Sequence, residues 1–149
     1  MGDVMKRIVE VGDANPGVNV RIHRESINGD VLTLLEDLIV IWGDRVIRVP
    51  AGFQSDGASV PRFMWENVSP AIDPRTIRAA IIHDWIYRNH PNGWSRRMAD
   101  CLFYDFCRAD GLSWWKSIKA YWGVRMFGSY SWRESYARNR GGEENAIGK

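Results

Sequence analysis

Hydrophobic and polar positions change their period once along this chain. Up to about residue 50 the pattern is short and alternating, as in half-buried strands. Lys6 to Val11 alternates weakly. In Asn19 to Arg24, Val20 and Ile22 alternate with Arg21 and His23. Asn28-Gly29 is a hairpin signal, because both residue types accept positive φ. Val31 to Leu35 and Leu38 to Trp42 are aliphatic and rich in β-branched residues, as strands prefer. Gly43-Asp44 turns the chain into Arg45 to Val49, and Pro50 ends that run. The expectation is an antiparallel β-meander of three to five strands over residues 1–50.

Residues 51–72, AGFQSDGASVPRFMWENVSPAI, read as a long loop punctuated by Gly52, Gly57, Pro61 and Pro70. Structureless loops of this length are usually functional or packed down. Phe53, Val60, Phe63, Met64 and Trp65 favour packing. From residue 73 the period becomes helical. Asp73-Pro74 reads as an N-cap with proline at the first helical position. That helix is expected to run to about His90, where Pro91-Asn92-Gly93 stops it. Ser95 caps a second helix, Arg96 to Ala109, closed by Gly111. Ser113 opens a third, Trp114 to Phe127, which Gly128 is expected to end. Residues 129–149 read as a polar, basic tail, of a kind that is disordered unless docked on a neighbour. The whole is expected to be one α+β domain: strands, a long packed loop, then a three-helix bundle over 73–128.

Length and composition fit that outline. The chain has 149 residues, 45% hydrophobic and 26% charged, an ordinary globular balance that excludes a fibre, a disulfide scaffold and a disordered chain. No apolar run approaches the 18 or so residues of a membrane span. Met1 to Gly12 carries charges but no apolar core, so no signal peptide is expected, and synthesis in a cytoplasm is. The net charge of +2 is too balanced to make nucleic acid the main ligand. Cys101 and Cys107 lie six apart on one expected helix, roughly 9 Å along its axis, too far for a disulfide. They read as small buried hydrophobes. Eight tryptophans suggest a rich core or a partner surface.

Candidate chemistry sits on the first two helices. In AAIIHDWIYRN, His83 and Tyr87 stand at i and i+4, one above the other, with Asp84 about 100° round the helix. Asp100, in MADCLFYDF, follows His83 by 17 residues, and a short turn lets an antiparallel second helix bring it back to that level. An imidazole, a phenol and carboxylates inside a helix hairpin are rarely buried without paired roles.

The pairing of HDxxY with a later ADxxF resembles the catalytic helix pair of phospholipase A2 enzymes, closest to the small, disulfide-poor forms of parvovirus capsids and bacteria. The resemblance covers about Ala79 to Asp110. It implies that His83 is the general base activating a water, that Asp84 is a calcium ligand, and that Asp100 and Tyr87 orient the histidine. The family's glycine-rich calcium loop, YxGxG, is not present as such. Its nearest counterpart is AGFQSDGAS, with Gly52 and Gly57, and with Asp56 as a further metal ligand. A second, longer resemblance runs from about Arg45 to Trp132. VPAGFQSDGASVPR, AAIIHDWIYRN, RRMADCLFYDF and RMFGSYSW occur in order, as in a family of functionally unassigned proteins of tailed bacteriophages. It implies a phage origin and no particular activity.

Each feature also has a plainer reading. An adjacent His-Asp pair often makes structural hydrogen bonds, and Asp56-Gly57 is often a turn. Ser59 lacks the strand–serine–helix elbow of a nucleophile. His23 and His90 are expected to be exposed. Trp114, Trp115 and Trp122 are core or contact surface before they are a ligand box, and the basic run Arg133 to Arg140 is a solvated face or a subunit contact. Three functions remain in play. The first is a calcium-dependent, phospholipase A2-like ester hydrolase acting on the host envelope, a role compatible with assembly into a virion. The second is a non-enzymatic tail or neck protein that contacts other virion proteins. The third is a zinc hydrolase using His83, Asp84 and Asp56, disfavoured because zinc prefers more His or Cys ligands.

Overall fold

A computed structural model describes residues 18, 20–25, 29–55 and 74–147. Antiparallel strands precede three helices, the α+β arrangement expected from the change of period. Among the described residues the strands are β1 (Val20–Glu25), β2 (Gly29–Leu34), β3 (Leu38–Trp42), β4 (Arg45–Val49) and β5 (Gln54–Ser55). The helices are α1 (Pro74–Asn89), α2 (Arg96–Ala109) and α3 (Trp114–Ile147).

The strands do not pair in simple sequence order. β1 and β2 form a hairpin with Val20 opposite Leu34, and β3 and β4 form a second with Val40 opposite Ile47. β2 takes β5, not β3, as its other neighbour, with Leu32 opposite Ser55. The described strands therefore form two sheets, one of three strands and one of two, and the expected meander is interrupted between β2 and β3. Asp37, just before β3, accepts the Ala51 N–H and pairs with Arg48. Those bonds, the Ala51 N–H first, hold its carboxyl below the usual range. They fold the turn at Gly52 (φ 87°) so that Gly52 and Phe53 bond back to Leu34 and lead the chain into β5. The start of the expected loop is thus a strand.

Alternation decides what the hairpins bury. Leu38, Val40 and Trp42 of β3, with Ile47 and Val49 of β4, face the core, while Val46 and Arg48 point out. The β3–β4 turn is two residues, Gly43-Asp44, with Gly43 at φ 63°, a geometry suited to the strand twist. The inner face packs on the helices, where Trp42 donates its indole N–H to Asp105 of α2 at 2.7 Å and stacks on Trp94. One hydrophobic core runs from these strands through Ile81, Ile82 and Ile86 of α1 to Leu102, Phe103 and Phe106 of α2.

Local rules set both ends of α2. Ser95 accepts the Met98 N–H as the N-cap of α2. Gly111 closes that helix at φ 95°, a conformation costly for residues with a Cβ. Arg78 near the start of α1 clamps Asp110 past the end of α2 with two hydrogen bonds, of 2.6 and 3.1 Å. Together with the contact of Tyr87 and His83 to Asp100 this makes the hairpin antiparallel. Cys107 is buried, Cys101 half-buried, and neither is in a disulfide.

The third helix departs from expectation. It does not end at Gly128 but continues to Ile147, 34 residues in all. Gly128 is a packing position: a Cβ there would stand 2.7 Å from the Tyr87 hydroxyl. The residues beyond it, expected as a loose tail, cap α1. Ser135 donates to the Tyr87 carbonyl at 2.6 Å and Asn139 to the Arg88 carbonyl at 2.8 Å, satisfying orphan acceptors of the last turn of α1. His90, expected to be exposed, is half-buried and bonded to Ser135 at 2.8 Å. It sits just past α1 at φ 45°. Burial lowers its affinity for a proton.

Candidate functional site

α1 presents His83, Asp84 and Tyr87 to the interior because its apolar residues surround them. Ala79 to Ile82 and Ile86 are buried, so the helix has little solvent face at this level. His83 is 1% exposed, Tyr87 4% and Asp100 0%. The imidazole and phenol rings lie 4.1 Å apart, and Phe103 covers the imidazole at 5.2 Å.

Asp100 is the hub. Its Oδ1 meets His83 Nε2 at 2.7 Å and accepts the Tyr87 hydroxyl at 2.6 Å. Its Oδ2 accepts from Arg125 of α3 at 2.9 Å, and Arg96 stands 3.7 Å away. Arg96 also donates to the Arg125 carbonyl at 3.0 Å, fixing the two guanidinium-bearing segments together. Burial alone would raise the Asp100 proton affinity, but the bonds from His83, Tyr87 and Arg125 outweigh it and hold the carboxyl below its ordinary value. Burial, and then the neighbouring Asp100 charge, push Tyr87 the other way, so it stays a phenol and a donor. Arg125, bonded to Asp100, is held more firmly charged.

An ionised carboxylate only accepts hydrogen bonds. His83 must therefore carry its proton on Nε2, and in the neutral ring Nδ1 is a bare lone pair. Nδ1 is buried and has no hydrogen-bond partner among the described residues. Leaving such a nitrogen unsatisfied costs about 1–3 kcal/mol. Chemically, the set is an imidazole with one tautomer enforced, an anion placed to stabilise the imidazolium, and a free basic nitrogen. Those are the parts of a general base.

Asp84 points elsewhere. Its Oδ2 accepts the Ser55 hydroxyl at 2.6 Å, and Arg88 lies 3.9 Å from the same oxygen. Arg88 also donates to the Gln54 carbonyl at 2.7 Å. The pair thus anchors β5 to α1. Gly52 turns the chain into β5. Asp56, Gly57 and Ser59 lie outside the described residues. Among those that are described, no three His, Cys, Asp or Glu side chains gather as a metal site. The described donors do not by themselves fit a calcium ion, and a guanidinium beside Asp84 opposes one. His23 lies on β1.

Sequence reasoning assembles His83, Tyr87 and Asp100 and misses three participants around them. Arg96 is signalled by its i,i+4 spacing to Asp100 on one helix. Arg125 and Gly128 carry no local signal, since only tertiary packing brings α3 to Asp100 and Tyr87. Ser55, the partner of Asp84, falls in the stretch that reads as loop.

These residues lie within a family-wide match. The chain belongs to the family described as a protein of unknown function, DUF1353, which matches residues 32–124. That stretch runs from β2 into α3 and contains His83, Asp84, Tyr87 and Asp100. An uncharacterized protein of Sinorhizobium fredii, y4iH, is 35% identical over 75 residues. The aligned segment covers 50% of this chain and 30% of that relative, so the chain corresponds to well under half of the longer protein. No solved structure matches. Among the described residues, no helix is long and apolar enough to cross a membrane.

Proposed function

We propose that this protein is a histidine-dependent ester hydrolase of the phospholipase A2 type, encoded by a phage and directed at the lipid of the host envelope. The observation that carries the proposal is His83, with Nε2 tied to an ionised Asp100 and Nδ1 buried without a partner among the described residues. In this reading His83 Nδ1 takes a proton from a water as the water oxygen bonds to the ester carbonyl carbon. The imidazolium is held by Asp100, itself held by Tyr87 and Arg125. The tetrahedral intermediate then expels the alcohol oxygen, which takes the proton back from Nδ1. The products are a fatty acid and a lysophospholipid. Calcium enters only through the sequence resemblance, which assigns it to Asp84, Asp56 and the Gly52–Gly57 segment, and no step above passes through it.

A second reading is a non-enzymatic virion component. Two observations favour it: His83 is 1% exposed, and Arg125 already neutralises Asp100, which weakens the field left for an imidazolium.

The test is fatty-acid release from phospholipid vesicles, with and without millimolar calcium, by wild type and His83→Gln at equal folded fraction. The hydrolase reading predicts turnover that falls by about 10² or more in the variant, the scale of a lost general base. A folded wild type without turnover under either condition overturns it in favour of the structural reading. Turnover unaffected by calcium removes the metal from the proposal.

A further inference from the structure

The outward face of α3 carries a stripe of large apolar side chains. Trp115, Trp122, Met126 and Tyr130 are 63%, 56%, 66% and 74% exposed. Their spacing of seven, four and four keeps them on one side of the helix. Ser117, Ala120, Val124, Gly128 and Ser135 are buried on the opposite side, against the rest of the molecule. Trp114 stacks on Trp115 at the start of the stripe. An exposed apolar face of this kind marks an interaction site more often than chance.

Charge selects among its occupants. Between Trp114 and Arg140 the helix carries Lys116, Lys119, Arg125, Arg133, Arg138 and Arg140 against a single acid, Glu134. Glu134 is engaged by Arg138, and Arg125 by Asp100. Lys116, Lys119, Arg133 and Arg140 are exposed along the same segment. A second copy of this chain would set that basic helix against its like. The stripe also spans only about 22 Å of helix, an area of a few hundred Å², below the roughly 800 Å² per partner of a stable interface. Tryptophan and tyrosine prefer the polar–apolar boundary of a bilayer, and lysine and arginine are drawn to anionic headgroups.

We infer that the outer face of α3 is a docking surface for an anionic phospholipid membrane, with Trp115, Trp122, Met126 and Tyr130 entering the headgroup boundary. Lys116, Lys119 and Arg133 hold it there electrostatically. The hydrolase proposal gives such a surface a purpose, but the inference rests on the face itself and stands if His83 turns nothing over.

The experiment uses full-length His83→Gln protein, so that no lipid is consumed, and vesicles of phosphatidylcholine alone or mixed equally with phosphatidylglycerol. Binding is read by co-sedimentation and by the blue shift of tryptophan emission. The expected result is binding to the mixed vesicles that weakens with added salt. Trp115→Ala/Trp122→Ala should weaken it at least tenfold, and Lys116→Glu/Lys119→Glu should abolish the preference for anionic lipid, with both variants keeping the parent far-UV spectrum and melting temperature. No binding at low salt overturns the inference. So does binding that the double tryptophan variant leaves intact. A concentration-dependent dimer in sedimentation velocity that the same variant abolishes assigns the face to a second copy instead. Vesicle binding without turnover by wild type would sink the hydrolase reading and leave this one standing.

Discussion

Replacing Gly128 by alanine is expected to destabilise the protein, although alanine is the better helix former. In an exposed helix the change is worth about 1 kcal/mol in favour of alanine. Here the new Cβ would lie 2.7 Å from the Tyr87 hydroxyl oxygen and 3.1 and 3.3 Å from two ring carbons. Tyr87 has little room to yield, being 4% exposed and bonded to Asp100 at 2.6 Å. Either α3 moves outward, at the 1–3 kcal/mol or so typical of overpacking, or Tyr87 swings away and forfeits a bond to a charged acceptor worth about 1.5–3 kcal/mol. Set against the propensity gain, the net loss is up to about 2 kcal/mol, a fall in melting temperature of up to roughly 8 °C for a domain of this size. Gly141 is the control. It lies in the same helix, and a Cβ added there would meet nothing within 4 Å, so Gly141→Ala should hold or raise the melting temperature. Tyr87→Phe removes the atom struck first, so Gly128→Ala should cost less in that background, by about 0.5 kcal/mol or more in a double-mutant cycle. Thermal melts of these variants decide it. A Gly128→Ala protein that melts at or above wild type would refute the seating of α3 on Tyr87.

The other predictions concern the carboxylates. Asp100→Asn should cost about 2–4 kcal/mol at neutral pH, measured by urea unfolding, because Arg125 and His83 lose a buried anionic acceptor. Asp100 is held below its ordinary value in the folded state. Its contribution is therefore full above the unfolded value near 3.8 and disappears as pH falls through the folded one. Wild type should lose stability over that acid window more steeply than Asp100→Asn, and parallel curves would count against the hub. Ser55→Ala removes a buried 2.6 Å donor to Asp84 and should cost about 1–2 kcal/mol. Equal unfolding midpoints would show that β5 is not anchored there.

The sequence was legible where a rule acts locally. β-Branched, aliphatic composition placed β3, the Gly43-Asp44 turn and Pro50 bounded β4, the Ser95 cap placed α2, and i,i+4 spacing with a short turn brought His83, Tyr87 and Asp100 together. It misled where a local rule was overridden by packing. Gly128 reads as a stop signal because glycine ends helices, yet it is needed for close approach to Tyr87 inside one. The polarity of residues 129–140 suggested disorder, yet Ser135 and Asn139 serve the carbonyls of α1 and Trp132 packs edge-on against Tyr87 and His90. The β2–β5 pairing depends on Asp37 closing a turn fourteen residues away, which no periodicity encodes. Arg125 reaches Asp100 only because α3 is seated as it is.

The central claim is that Asp100 fixes the His83 ring so that Nδ1 is a free base. Nitrogen-15 NMR of the histidine side chains at pH 8, assigned with His83→Gln, tests it directly. The account predicts that His83 carries its proton on Nε2, with an unprotonated Nδ1 resonance, and that Asp100→Asn mixes the two tautomers. A wild-type signal with the proton on Nδ1 would contradict the account. It would turn the bare nitrogen toward Asp100 and leave no base to act.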